Sequence, residues 1–382
     1  MRTSLEVAHI ITRFKDAFLE KYSPCKQVLK VFSHLEQCRT SALGGHVDAC
    51  SECGAVRVSY NSCRDRHCPK CQGIERELWI QARKEEILPV NYFHGVFTLP
   101  EELHSLSLAN MKAVYSSLFR AAWGTIEKFS GNQGVQTGMT AILHTWGSNL
   151  HYHPHVHCIV PGGGIREDGK WKTYENVYNR KAFLFTVKGM SKVFRAKFMK
   201  ELTKSVKIPA TVRKRLFEKE WVVYSKAPFK GTDKVVEYLG RYSYRVAISN
   251  SRIKQITDRH VTFEYKDYKD NRKCKMMTLT GEEFLHRFSQ HILPAGFVRI
   301  RHYGFLASSN REKLWKIQRV MKVPCSPIKG GKKKWTEVCA QKWEDYNICK
   351  SCAKAQMITI QTFHPTRAPP VLMRRKGDTQ EK

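Results

Sequence analysis

The segment HYHPHVHCIVPGGG, residues 151–164, determines how the rest of the chain is interpreted. Successive side chains of a β-strand point to opposite faces, so His155 and His157 present two imidazoles side by side on one face. Adjacent imidazoles of this kind are typical of a metal site. The intervening apolar residues point to the other face and are expected in the core: Val156, Cys158 and Val160.

A third imidazole is predicted from the geometry of a hairpin. If Gly147–Tyr152 is the loop between two antiparallel strands, His144 lies directly opposite His155. Directly opposed residues have Cβ atoms about 4.5–5.5 Å apart on the same face. His153 has the same parity, but Pro154 disfavours regular strand geometry there, so His153 is the weaker candidate. The predicted metal site is therefore His144, His155 and His157; the alternative is a group of surface or hydrogen-bonded core histidines.

The composition indicates a polyanionic partner. The chain has 382 residues, with 66 Lys plus Arg against 34 Asp plus Glu, and its net charge is +32. An excess of this size favours binding to nucleic-acid phosphates; a ribosomal environment or an anionic membrane surface are the alternatives. Because no apolar run reaches about 18 residues, and the N-terminus lacks the apolar core of a signal peptide, we expect a cytoplasmic protein with no membrane segment.

Thirteen cysteines, several of them in C-x-x-C pairs, indicate thiolate metal ligands in a reducing cytosol rather than disulfides. One quartet has the spacing of a zinc ribbon, and we predict that it holds a structural Zn²⁺, the alternative being a redox pair: Cys50, Cys53, Cys68 and Cys71. Four further residues of the same stretch predict a second zinc ion, unless they are ordinary buried side chains: Cys38, His46, Cys63 and His67.

The cysteine pattern suggests two further sites, a basic DNA contact and a C-terminal metal site. Arg64, Arg66 and Lys70 lie between the ligands and are predicted to contact DNA phosphates, unless they form a solvated surface. A C-terminal metal site is a weaker prediction, because only the last two of its four cysteines have motif spacing. These four are Cys325, Cys339, Cys349 and Cys352.

The order of predicted elements favours an α+β fold with a largely antiparallel sheet. Strands are predicted at Gly138–Trp146 and His155–Val160, and no regular βαβ repeat is present. We divide the chain into a helical and zinc-binding DNA-recognition module (1–75), a helical connector (76–90), a main domain (91–310) and a basic C-terminal region with a disordered tail (311–382).

A pair of tyrosines lies on a predicted helix, Asp233–Tyr242. Tyr238 and Tyr242 are four residues apart and therefore share a helix face. Arg241 and Arg245 are close enough in sequence to hold phosphates beside that face. Taken alone, an aromatic pair at this spacing is more typical of core packing than of catalysis.

The combination of these features resembles the bacterial rolling-circle transposases of the two-tyrosine HUH class, which have an N-terminal zinc-binding domain. The resemblance extends from Cys38 to Ala307 and fades after residue 311. The matching stretches are CRTSALGGHVDACSECG, YNSCRDRHCPKCQ, YFHGVFTLPEEL, LHTWGSNLHYHPHVHCIVPGGG, WVVYSKAPF, EYLGRYSYRVAISNSRI and HILPAGFVRIRHYGFLA.

The resemblance implies that residues 91–310 form an HUH nuclease domain, a central antiparallel sheet flanked by helices. It implies that His155 and His157 bind a catalytic Mg²⁺ or Mn²⁺, and that Tyr238 and Tyr242 attack DNA. Its implied partners are single-stranded DNA at the element ends and target DNA. Tyr244 departs from the pattern, because relatives commonly have Thr-His where this chain has Ser-Tyr.

Two other functions remain open at the level of sequence. A plasmid replication initiator or a conjugative relaxase would use the same chemistry, although the N-terminal zinc module favours the transposase. A non-enzymatic, zinc-dependent DNA-binding regulator would leave the histidine strand and the tyrosines without a role. The sequence does not indicate an oligomeric state.

Overall fold

The structure is a computed structural model that describes residues 5–178, 184–226, 229, 231–268, 270–323, 337 and 347–365, except the side chains of residues 177, 178, 233 and 241. Its helices are α1 (Val7–Lys21), α2 (Lys26–Gln37), α3 (Gly73–Lys84), α4 (His104–Ala109), α5 (Met111–Gly131), α6 (Glu175–Tyr178), α7 (Val187–Leu202), α8 (Ala210–Glu218), α9 (Thr232–Ser243), α10 (Gly281–Ser289) and α11 (Arg311–Val320). Its strands are β1 (Gly45–Cys50), β2 (Val56–Tyr60), β3 (Tyr92–Thr98), β4 (Gly138–Trp146), β5 (Tyr152–Pro161), β6 (Gly163–Ile165), β7 (Trp171–Thr173), β8 (Val223–Ser225), β9 (Ile253–Ile256), β10 (His260–Asp267), β11 (Lys273–Thr280), β12 (Ile300–Gly304) and β13 (Met357–Phe363).

A five-stranded sheet in the order β12-β4-β5-β3-β8 forms the centre of the molecule, and each neighbouring pair is antiparallel. One face of this sheet packs against α5 and α7 through a large apolar core. The alternation along β5 sends three residues into that core, as the sequence predicted: Val156, Cys158 and Val160. The predicted α+β fold with a central antiparallel sheet and flanking helices is therefore confirmed.

The opposite face of the sheet is covered by α9 and α3. Val235 and Leu239 of α9 are buried in one apolar cluster with Ile142 of β4 and Ile159 of β5. Because side chains alternate along a strand, the histidines of β4 and β5 lie on this same face. The sheet therefore places the histidines beside α9.

The register between β4 and β5 is the predicted one. His144 pairs directly with His155, and the neighbouring rows follow the same register. A bulge after His144 shifts the next pair by one residue, so that Trp146 pairs with Tyr152. The turn is thus one residue tighter than predicted, but the bulge leaves the histidine pair aligned.

The N-terminal helices do not form a unit separate from the main domain. The apolar side of α1 and α2 is buried against β9, β10 and α10 in a second core. At the closest approach the ring of Phe14 covers Gly281, where an added Cβ would lie 2.1 Å from that ring. An amphipathic helix pair must bury its apolar side. Residues 247–292 cover that side here, so the apolar core of α1 and α2 includes residues on both sides of the predicted boundary at residue 75.

The C-terminal region also returns to the N-terminal module. β13 pairs antiparallel with β1, and β1 pairs with β2, in a separate three-stranded sheet. Residues 347–365 are thus folded against the cysteine-rich segment, whereas the predicted disordered tail, the last fifteen residues, lies outside the described part of the chain. Among the described residues, no helix has the length and apolar character needed to cross a membrane.

Candidate metal and tyrosine site

Three imidazoles converge at the end of the central sheet. The Nε2 atoms of His155 and His157 are 3.1 Å apart, and one ring nitrogen of each of His144, His155 and His157 lies within 4.8 Å of the others. His144 and His157 are buried and His155 is half-buried. The three residues that the hairpin register predicted therefore form one group with the geometry of a metal-ligand set.

Hydrogen bonds orient two of these rings for metal binding. The Nε2 atom of His144 lies 2.9 Å from the backbone oxygen of Tyr242, and Nδ1 of His155 lies 2.6 Å from the backbone oxygen of His153. Because a carbonyl accepts only from an N–H, these bonds leave Nδ1 of His144 and Nε2 of His155 with free lone pairs. His153 therefore contributes a backbone oxygen rather than its imidazole.

His94 of β3 completes the polar group and is not among the residues predicted from the sequence. Its Nε2 lies 2.9 Å from Nδ1 of His157 and 2.7 Å from the hydroxyl oxygen of Tyr238. The β3–β5 register pairs His94 with Ile159 and thereby puts it on the histidine face. A histidine in the YFHGVFTL strand was the available signal, but only the β3–β5 pairing shows that it reaches the cluster.

The electrostatic environment keeps the imidazoles neutral, which is the form that binds metals. Burial lowers the pKa of His155 to about 4 and that of His94 to about 3. Burial and the neighbouring histidines hold the pKa values of His144 and His157 well below the ordinary range. At neutral pH the residues therefore fit a divalent cation, because protons do not compete for their lone pairs.

Both tyrosines of α9 face this cluster. The rings of Tyr238 and Tyr242 are stacked with centroids 4.2 Å apart, and the ring of Tyr242 lies 4.7 Å from that of His157. Tyr244 points elsewhere, with its ring against Trp79 of α3 at 6.4 Å. The i, i+4 spacing on a helix thus brings two phenol groups, and not the third, to the histidines.

The position of α9 is fixed from both sides. Its apolar side chains pack on the sheet, and α3 lies on its outer side. Gly240 makes the close approach to α3, because an added Cβ would lie 2.4 Å from Cδ1 of Ile80. A side chain at this position would require the Ile80 side chain to move.

Basic residues surround the cluster. The guanidinium of Arg245 lies over the Tyr242 ring at 5.9 Å and its side chain is exposed. The buried guanidinium of Arg299 donates to the backbone oxygen of Arg245 at 3.3 Å. Arg241 lies on α9, but its side chain is outside the described part of the structure. Positive charge is thus available at the solvent side of the two phenol rings.

The structure contradicts the predicted zinc quartet. Cys68 and Cys71 lie with the other two cysteines of the segment rather than with Cys50 and Cys53, and the four form the cluster Cys38, Cys63, Cys68 and Cys71. The Cys38–Cys68 and Cys63–Cys71 sulfurs are 3.5 and 3.7 Å apart. Zn–S bonds of about 2.3 Å in a tetrahedron hold sulfurs about 3.8 Å apart. Sequence spacing identifies Cys68 and Cys71 as a C-x-x-C pair, but it does not show which other cysteines lie beside them. In the structure one of these is Cys38, at the end of α2.

The two histidines predicted as further zinc ligands lie outside this cluster. Nδ1 of His67 lies 2.8 Å from an Asp65 carboxylate oxygen, and its Nε2 accepts from the backbone N–H of Leu293 at 3.2 Å. His46 faces Asp48, with 3.5 Å between its Nε2 and the carboxylate. Both nitrogens of His67 are therefore occupied by protein groups, and the ligand prediction for these two residues is wrong.

The predicted DNA-contacting residues of the module have different surroundings. Arg64 is exposed. Arg66 donates to the backbone oxygen of Phe297, and Lys70 forms an ion pair with Glu6 at 2.6 Å. Arg64 is thus the freest of the three to meet a phosphate, whereas Lys70 neutralises a carboxylate of its own chain.

Cys50 and Cys53 lie beside two cysteines of the C-terminal region instead. They form a second cluster with two cysteines from the far end of the chain, Cys349 and Cys352. The C-terminal site predicted from the sequence is therefore corrected, because its C-x-x-C pair lies with Cys50 and Cys53. Cys325 and Cys339 lie outside the described residues.

Comparisons with known proteins identify both halves of the chain. Residues 10–99 match the IS91 family model described as "Transposase zinc-binding domain". Residues 138–313 match the family described as "Putative transposase". The two matched regions include the first cysteine cluster, His144, His155, His157 and both tyrosines of α9.

Two relatives align with most of the chain. "Putative transposase y4qJ" of Sinorhizobium fredii is 39% identical over 97% of this chain and 98% of the relative. "Transposase for insertion sequence element IS801" of Pseudomonas savastanoi pv. phaseolicola is 30% identical over 71% of this chain and 68% of the relative. Among solved structures, a conjugative relaxase TrwC in complex with oriT DNA is 13% identical, the alignment covers 47% of this chain and 68% of the relaxase chain, and the TM-score is 0.24.

A zinc-binding transposase domain followed by a second transposase domain, matched along nearly the full chain, defines a DNA transposase of an insertion sequence. The chain belongs to the family of IS91-type transposases with an N-terminal zinc-binding domain. The family resemblance found in the sequence is thereby confirmed.

Proposed function

We propose that this transposase nicks and rejoins single-stranded DNA at the ends of its element in a rolling-circle-like mechanism, through a covalent 5′-phosphotyrosine intermediate. The observation that carries the proposal is the contact between two phenol rings and a metal-ligand set. Tyr242 lies against His157, and the Tyr238 hydroxyl lies 3.4 Å from Nδ1 of the same histidine. A phosphate bound between them would face both a nucleophile and a cation.

The proposed reaction is an in-line phosphoryl transfer. A divalent cation, Mg²⁺ or Mn²⁺, held by His144, His155 and His157 would offset charge on a non-bridging oxygen of the scissile phosphate. The tyrosine oxygen forms a bond to phosphorus while the bond to the 3′ oxygen breaks, and the 3′ oxygen leaves as a hydroxyl after taking up a proton. Because the phosphodiester is retained on the tyrosine, the 3′-hydroxyl of another strand reverses the step without ATP.

The half-buried Tyr238 must give up its hydroxyl proton as it attacks. Burial and the neighbouring Tyr242 raise the pKa of Tyr238, so that its phenol is protonated at neutral pH. Its hydroxyl oxygen lies 2.7 Å from Nε2 of His94 and donates to that nitrogen when His94 carries its own proton on Nδ1. His94 is held neutral by its own burial and can accept that proton as the phosphorus–oxygen bond forms.

The cysteine cluster at the end of α2 is proposed as a structural zinc site. The ligand atoms of Cys38, Cys63, Cys68 and Cys71 lie within 4.8 Å of one another, which suits one tetrahedral zinc ion bound by four thiolates. The exposed Arg64 lies next to the ligand Cys63 and is proposed to contact DNA phosphates. Zinc would thereby hold a DNA-recognition segment that has few apolar residues of its own.

The test is incubation of the protein with labelled single-stranded element ends and Mn²⁺, followed by a denaturing gel. We expect a covalent protein–DNA band that disappears with a chelator and with His155→Ala or His157→Ala, while both variants still bind the oligonucleotide. His151→Ala is the matched control, because this neighbouring histidine is exposed and outside the cluster. Binding without any adduct in the wild-type protein would leave only a DNA-binding function.

A further inference from the structure

Four cysteines from distant parts of the sequence lie together: Cys50, Cys53, Cys349 and Cys352. The sulfurs of Cys50 and Cys352 are 3.6 Å apart, and those of Cys53 and Cys349 are also 3.6 Å apart. These separations are close to the value of about 3.8 Å that a tetrahedral ZnS₄ centre requires. The first two ligands are separated from the last two by about three hundred residues.

Both C-x-x-C pairs have the turn that presents two thiolates to one ion. In the first, the N–H of Gly54 donates to the carbonyl of Cys50 at 3.1 Å; in the second, the N–H of Ala353 donates to that of Cys349 at 2.8 Å. Gly54 and Ala353 both have a left-handed backbone, with φ of 67° and 55°. An alanine adopts this conformation only at a cost, and here the turn of the second pair requires it.

Among the residues that the structure describes, only a small apolar cluster surrounds these segments. The buried residues of the apolar cluster around the four cysteines are Met357, Cys50 and Cys349. The sheet residues beside them are largely exposed, including Val56 of β2 and Ile358 of β13. A module of this kind obtains much of its folding free energy from a bound metal.

We propose that Cys50, Cys53, Cys349 and Cys352 bind a second structural zinc ion, which fastens the C-terminal strand β13 to the N-terminal module. The ion would act with two existing contacts of β13: the Thr359 hydroxyl donates to Asp48 at 2.8 Å, and the Phe363 ring lies against Tyr60 at 6.0 Å. Zinc would close the β13-β1-β2 sheet and make residues 347–365 part of the N-terminal module.

Native mass spectrometry of the full chain tests the proposal by counting zinc ions. We expect two per chain in the wild type and one in both Cys349→Ser/Cys352→Ser and Cys50→Ser/Cys53→Ser. Cys25→Ser/Cys274→Ser is the matched control, since both cysteines are exposed and lie outside the two clusters, and it should keep both ions. A Cys349→Ser/Cys352→Ser protein that keeps its full zinc content overturns the proposal.

Hydrogen exchange gives a second, independent measurement. In Cys349→Ser/Cys352→Ser, amides of β1 and β13 should exchange faster, whereas amides of the central strands β4 and β5 should keep their protection. Unchanged protection of β13 would show that the strand is held without metal. A zinc-free wild-type cluster whose intact mass reveals Cys50–Cys352 and Cys53–Cys349 disulfides would likewise overturn the proposal.

Discussion

The imidazole of His144 connects the central sheet to the helix that bears the tyrosines, because its Nε2 donates to the backbone oxygen of Tyr242 over 2.9 Å. One ring nitrogen therefore anchors the end of α9, and the other points into the histidine cluster. The same side chain thus couples the position of a proposed nucleophile to the position of a proposed metal ligand.

His144→Ala is expected to remove both connections. Loss of a ligand and of its bond to the carbonyl should lower the Mn²⁺ affinity by at least about 10–100-fold and should reduce adduct formation with it. Titration with Mn²⁺ measures the first effect, and the covalent band measures the second. His153→Ala is the comparison, since only the backbone oxygen of His153 contacts the cluster; normal nicking by His144→Ala together with its loss in His153→Ala would contradict the assigned ligand set.

His94→Phe tests the residue that the sequence analysis missed. The change keeps a ring in the site but removes the nitrogen shared by His157 and Tyr238, so the Mn²⁺ affinity should fall by about 10-fold or more and the pH profile of adduct formation should shift. His94→Gln, which retains a hydrogen-bonding side chain, should recover part of both properties. His302→Phe is the control: His302 lies on the same sheet but bonds to Arg83 and Thr140. Equal losses of Mn²⁺ affinity in the two Phe variants would show a general effect on the sheet.

The buried histidines also predict a pH dependence of stability. Burial lowers the pKa of His291 to about 4, below its unfolded value of about 6.5. The unfolded chain therefore binds more protons between those values, and this contribution to stability is present above about pH 6.5 and is lost as the pH falls towards 4. Per pH unit, the loss should approach about 1.4 kcal/mol for this fully buried group.

His291→Gln isolates that contribution, because other groups titrate equally in both proteins. The free energy of unfolding, measured in denaturant at pH 6.5 and pH 5, should fall less for the variant than for the wild type. Parallel decreases in the two proteins would show that His291 is not held neutral by the fold. Glutamine is chosen because it can still donate to the Leu150 carbonyl, which lies 3.1 Å from the histidine Nε2.

Local sequence geometry predicted correctly which three histidines lie together on the sheet. The loop between β4 and β5 is short, so the alternation of strand faces and a single pairing register predict that His144 lies opposite His155, as the structure shows. The i, i+4 spacing likewise placed Tyr238 and Tyr242 on one helix face. Which residues of one hairpin or one helix share a face follows from the regular periods of strands and helices.

Contacts between distant segments were not predictable in this way. Each C-x-x-C pair was identified, but its partner depends on tertiary structure, and Cys50 lies beside Cys352 across 302 positions. His94 was missed for the same reason, since it reaches His157 only through the pairing of β3 with β5. The packing of α1 and α2 against residues 247–292 could not be predicted either. Sequence periodicity shows that a helix has an apolar face, but it does not show which residues cover that face.

A Tyr→Phe series separates the nucleophiles, because phenylalanine keeps the ring stacking and removes only the attacking oxygen. The double variant Tyr238→Phe/Tyr242→Phe should form no covalent adduct and should still bind single-stranded DNA. Tyr244→Phe should form the adduct normally, since its ring packs on Trp79 rather than on the histidines. Each single change at Tyr238 or Tyr242 should block transposition, even where one nick is still made.

The most direct measurement is peptide mapping of the covalent adduct formed with a single-stranded element end and Mn²⁺. The label should lie on an α9 peptide, at Tyr242 or Tyr238, and we favour Tyr242 for the first attack because Arg245 lies over its ring and can hold the scissile strand. Linkage through a 5′-phosphate on either residue is the result that the proposed mechanism requires. A label on Tyr244, or an adduct on no tyrosine at all, would contradict it.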